Sequence, residues 1–108
     1  MATPFYIKQG ALTPAITFAF TQAGQPISLV GCTVTFKMRL ETGTTLAITA
    51  GATINSPATV GTGYYAWQLG DTAAPGRYLV EWLIVSGTVP EILPVRGYDR
   101  VVIVPSLP

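Results

Sequence analysis

The sequence predicts a single all-β domain over residues 1–108, and three observations carry that prediction. Strand formers dominate, since Thr and Val supply 25 of the 108 residues while Glu and Lys supply 5. No window sustains the 3.6-residue apolar period of an amphipathic helix. Short apolar runs are cut repeatedly by turn residues, drawn from 11 glycines and 9 prolines.

Taken in order, Phe5 to Lys8 reads as a short first strand, or as an arm spanning residues 1–9 that reaches a neighbour. After Thr13-Pro14, Ala15 to Phe20 forms a second strand with Ile16, Phe18 and Phe20 on one face. Ala23 to Pro26 is a turn, and Ile27 to Val30 a short extended piece. From Cys32 to Leu40 every even position is apolar and every odd one polar or charged, the mark of a half-buried strand. Glu41 to Thr44 turns the chain, and Thr45 to Ile48 returns with Leu46 and Ile48 inward. A short extended Ala52-Thr53-Ile54 precedes the loop Asn55-Ser56-Pro57. Tyr64 to Leu69 follows, with Tyr65, Trp67 and Leu69 assigned to the core. Gly70 to Gly76 is a corner, ended by Pro75-Gly76, and Arg77 to Val85 is the longest strand. Val89 to Pro94 is an edge, because two prolines do not fit a central strand. Arg100 to Val104 is the last strand, stopped by Pro105.

Seven to nine short strands in about 100 residues predict an immunoglobulin-like two-sheet β-sandwich, with a small barrel as the alternative. The spacing Asp71, Pro75, Gly76, Tyr78 adds a candidate structural corner, in which the tyrosine hydroxyl bonds back to the backbone before the strand.

Composition narrows the function. At this length one core buries roughly 65% of the unfolded chain's surface, so folding demands neither disulfide nor metal. No apolar stretch approaches the ~20 residues of a membrane helix, and the amino terminus lacks the basic-then-apolar pattern of a secretory signal. The lone Cys32 is expected as a buried, inert thiol. Six basic residues are spread along the chain, which argues against nucleic-acid binding. Without His, a Ser or Thr nucleophile has no ordinary general base, and nothing fixes two carboxylates together; no enzyme activity, metal or cofactor is expected. Charged residues make up 10% of the chain, far below the usual ~25%, so some surface is expected to be covered by partners, including copies of the chain itself.

The candidates for partner contact are Phe5, Tyr6 and Ile7 in the amino-terminal stretch, Ile92 and Leu93 on the proline-bearing edge, and Tyr64 and Tyr98 as aromatic anchors. The arm version predicts that Phe5→Ala with Ile7→Ala weakens assembly and leaves the fold intact. A competing version treats Tyr64, Tyr65, Trp67, Trp82 and Tyr98 as a sugar-stacking platform of a carbohydrate-binding module. Against it, Trp67 and Trp82 are expected to face each other in the core.

The order of Gln25-Pro26, Gly31 to Arg39, Gly63 to Trp67, Asp71-Thr72 and Pro75 to Trp82 resembles a family of small immunoglobulin-like domains of tailed bacteriophages. It is similar to the amino-terminal domain of baseplate upper proteins and to related stand-alone virion proteins. The resemblance runs from about Phe5 to Val104. It implies a structural, non-enzymatic role in the virion, assembled in the host cytoplasm, and brings no catalytic residues. In multidomain members a fibre- or receptor-binding part follows; here the sequence stops at Pro108. The implied roles are therefore a tail or baseplate adaptor or a capsid decoration (cement) protein.

Overall fold

Residues 4–93 and 98–107 are described by the structure, a computed structural model. Eleven strands lie among them: β1 (Phe5–Lys8), β2 (Ile16–Ala19), β3 (Thr21–Gln22), β4 (Gln25–Pro26), β5 (Cys32–Leu40), β6 (Leu46–Gly51), β7 (Thr53–Ile54), β8 (Thr62–Tyr65), β9 (Gly76–Ser86), β10 (Val89–Leu93) and β11 (Asp99–Val104). A single 3-10 turn, Ala58–Val60, interrupts them, and no α-helix occurs among the described residues. The expected edge to Pro94, and Val95 and Arg96 near it, run partly outside these residues.

The strands form a six-stranded sheet in the order β1-β11-β9-β5-β6, a three-stranded sheet β2-β8-β7, and the small hairpin β3-β4. β9 is the hub of the larger sheet. The full length of β5 pairs with it (Cys32↔Ser86 to Leu40↔Tyr78). On the other side of β9 its first half pairs with β11 and its second half with β10, so these two lie end to end along one neighbour. β1 joins as the first strand of its own sheet, parallel to β11, with Ile7 opposite Ile103.

The alternation read in the sequence becomes the core. Val34, Phe36 and Met38 of β5 and Tyr78, Val80, Trp82 and Ile84 of β9 are buried together with Ile16 and Phe18 of β2 and Tyr65 of β8. The two sheets meet through rings: Phe18 lies 4.9 Å from Trp82, and Phe36 stacks on Tyr65 at 4.4 Å. Trp67 and Trp82 are both buried, but Phe36 separates them, 5.7 Å from one and 5.0 Å from the other. The expected direct pairing is thus replaced by a central phenylalanine.

Three sequence expectations need correction. Leu69 is 89% exposed, because the strand ends at Tyr65 and the chain turns, with Asp71 accepting a hydrogen bond from the Gln68 amide at 2.8 Å. Leu46 is 46% exposed while Ile48 is buried, because the β5–β6 register shifts between Met38 and Arg39 and skips Ala47. Cys32 is half-buried, not sealed in the core. Ile27 to Val30, read as a short extended piece, joins no sheet, and Leu29 within it plugs the core.

Candidate interaction surface

Side chains alternate across a strand, so the residues between the core positions of the six-stranded sheet share its outer face. Following the register gives Tyr6, Val102 and Arg77 in one row, with Glu41 just past β5 bonded through its amide to the Arg77 carbonyl, and Arg100, Leu79, Arg39 and Leu46 in the next. Tyr98, Glu81 and Lys37 follow, the last two opposite each other, and then Ile92, Leu83 and Thr35. Lys8, beside Val104, occupies the same face.

All five described basic residues, Lys8, Lys37, Arg39, Arg77 and Arg100, therefore lie on this one surface. Five cations against the carboxylates of Glu41 and Glu81 leave three net positive charges there. The sequence spaces these residues widely, which hid the cluster; the signal was their parity within strands already assigned. Arg96, the sixth basic residue, lies outside the described residues.

The face is apolar between its charges. Leu79 is buried although it points away from the main core, flanked in register by Arg39 and Arg100. The Arg39 guanidinium lies 5.5 Å from the centre of the Tyr98 ring, a cation–π geometry, and donates to the Gly43 carbonyl at 2.6 Å. Arg100 pairs with Glu41 at 2.6 Å, both partly exposed. Beside them an open groove of about 430 Å³ is lined by Tyr6, Arg77, Val102 and the Arg100–Glu41 pair.

The sequence candidates divide. Tyr6 (62% exposed), Ile92 (47%) and Tyr98 (42%) share the outer face. Ile7 is in the core, Phe5 is half-buried 6.0 Å from Trp67, and Leu93 packs against the core from the opposite face of β10. Tyr64 sits half-buried on the three-stranded sheet. Among the described aromatic residues only Tyr6 and Tyr98 are exposed. No group of three His, Cys, Asp or Glu side chains that could hold a metal occurs among the described residues.

The corner has the geometry its spacing suggested. Tyr78 Oη donates to the Ala74 carbonyl at 2.7 Å, and Gly76 opens β9 beside the exposed Pro75. Asp71 accepts from Tyr65 Oη at 2.5 Å. Burial first, then that hydrogen bond and the negative charge of Asp71, push the Tyr65 hydroxyl above its usual range; burial does the same to Tyr78. Thr72 is a further tie at the corner. Fully buried, it accepts from the Gly10 amide at 3.1 Å and donates to the Ala11 carbonyl at 3.0 Å, fastening the segment after β1 to the corner. A lone threonine in a polar loop carries no pattern that would reveal this.

No family model matches the chain, and no curated protein matches its sequence.

Proposed function

We propose that the chain is an immunoglobulin-like two-sheet sandwich serving as a non-enzymatic structural component of a tailed-phage virion. It docks by protein–protein contacts, as a tail or baseplate adaptor or as a capsid decoration protein. The observation that carries this reading is the outer face of the six-stranded sheet. It combines exposed Tyr6, Tyr98, Leu46 and Ile92 with five cations and one shallow groove. Aromatic anchors with arginine among apolar neighbours are what interface centres are made of.

The sandwich reading is supported by two sheets facing each other across a layer of rings, and by the tyrosine bonded back to the corner ahead of β9. The resemblance to phage domains supplies the setting. A carbohydrate-binding module is the weaker reading, because stacking on sugars needs an exposed row of rings. Of the two exposed rings, Tyr98 already carries the Arg39 guanidinium.

The test is composition of purified particles from a host that produces them, by quantitative mass spectrometry with immunogold labelling. The expected result is the chain at a fixed copy number and one location. Its absence from intact particles, together with glycan binding lost on Tyr98→Ala, would overturn the proposal.

A further inference from the structure

Among the sheet margins of the described residues, β6 is the longest stretch free of charge and proline, and its one bulge, at Ala47, leaves residues 48–51 in regular register with β5. An edge strand presents unpaired N–H and C=O groups, and proteins blunt such edges with proline, lysine, bulges or very short strands. β1 follows Pro4 and ends on Lys8, β10 contains Pro90, β2 has four residues, and β7 has two. β6 has six residues and lies within 42–56, a stretch holding neither charge nor proline. It pairs with β5 on one side. On its other side, no strand and no backbone hydrogen bond reaches it among the described residues. Alternate residues of an antiparallel strand turn their peptide groups away from the partner, so this margin holds a row of open donors and acceptors.

We propose that β6 pairs antiparallel with β6 of a second copy of this chain, joining two six-stranded sheets edge to edge. The inference deepens the assembly reading and rests on it for its purpose. A two-fold contact sets a segment against itself, so any charge in the segment would face its own kind; β6 has none. The nearest like charges, Lys37 and Arg39 on β5, stand three strand spacings from their equivalents. That is about 14 Å, beyond the ~8 Å screening length at physiological salt.

Geometry also restricts the register. An axis normal to the sheet keeps both outer faces on one side, so an outward residue must oppose an outward residue, and the axis passes through a residue. Thr49 is exposed, points outward opposite Lys37, and sits near the middle of the strand. It then faces Thr49 of the second copy, with Ile48 opposite Ala50. Threonine pairs of this kind are favourable across strands. One strand pair buries less than the ~1,000 Å² of a durable interface, so the dimer is reversible and dissociates on dilution.

Sedimentation of the full chain should show the mean mass rising from the 11.4 kDa monomer towards twice that value as concentration increases into the high micromolar range. Thr49→Lys should weaken this association at least tenfold with circular dichroism and Tm unchanged. In a Cys32→Ser background, Thr49→Cys should give a disulfide dimer on mild oxidation, because facing residues lie about 4.5–5.5 Å apart, within disulfide reach. Thr17→Cys, on the other sheet, should stay monomeric. A wild type that remains monomeric throughout, or a Thr49→Lys variant that associates as strongly as wild type, overturns the pairing. Either result leaves the particle-composition experiment to decide the assembly reading separately.

Discussion

Tyr65 shows how a single hydroxyl ties stability to pH. It is buried against Phe36 and donates to Asp71, and its folded-state pKa lies above the ordinary value of 10.0, as does that of Tyr78. A raised pKa means that the folded state holds the proton more tightly than the unfolded one. The associated stability is complete below about pH 10 and is lost as pH rises towards the folded pKa. The unfolding midpoint in urea should therefore fall above pH 10. Tyr65→Phe should flatten that fall while costing about 1–2 kcal/mol at neutral pH, since Asp71 loses a donor. An alkaline slope identical in wild type and in Tyr65→Phe would refute the assignment. The amino-terminal residues call for the opposite revision. Phe5→Ala with Ile7→Ala should itself destabilise the fold, because Ile7 is 4% exposed and truncating such a core residue costs about 2–5 kcal/mol. Tyr6→Ala, between them and facing out, is the substitution that probes the surface without touching the core.

Two elements depend on backbone conditions that a side-chain pattern does not display. Gly63 in β8 lies against the Thr53 carbonyl and the Phe18 ring, so a Cβ there would collide with both. Gly63→Ala should destabilise by about 3 kcal/mol or more, measured by denaturant unfolding; a cost under about 1 kcal/mol would mean the sheet yields easily. In the β3–β4 hairpin both central residues, Ala23 and Gly24, have positive φ, 53° and 80°. That geometry favours Asn-Gly over Ala-Gly, so Ala23→Asn should raise stability by about 0.5–1 kcal/mol. These positions also mark where the sequence was legible. Strict alternation located β5, and its even positions Val34, Phe36 and Met38 entered the core as read. The aromatic interior and the Tyr78 corner were legible for the same reason, since each rests on a local spacing. The end of β8 after Tyr65 and the bulge that turns Leu46 outward were not. The first depends on the turn closed by Asp71, and the second on a register set by two strands together. The candidate surface was half legible: its exposed apolar residues Tyr6, Ile92 and Tyr98 stood out, whereas its cations gather only after β1, β5, β9 and β11 lie side by side.

At the scale of the whole molecule, few charges produce a strongly polarised particle. The formal net charge is +1, yet the outer face of the six-stranded sheet carries five cations and two carboxylates, while Asp71, Glu91 and Asp99 lie elsewhere. The rows of the three-stranded sheet, such as Thr17-Tyr64-Thr53, are uncharged. Adsorption to a charged surface follows the local field within a screening length, not the net charge. At pH 7 and low salt the native chain should therefore be retained on a sulfonate resin more strongly than its near-neutral total implies. Two variants separate the causes. Lys8→Gln with Arg77→Gln removes two positive charges from the face, and Thr17→Glu with Thr53→Glu lowers the net charge by the same two units on the other sheet. All four positions are exposed, so each exchange should change stability by no more than about 0.5 kcal/mol. Retention should collapse in the first pair and largely persist in the second, with the eluting salt concentration as the readout. Equal losses in both would show that the charge acts as a total and not as a face, and docking would then have to be sought in the apolar residues alone.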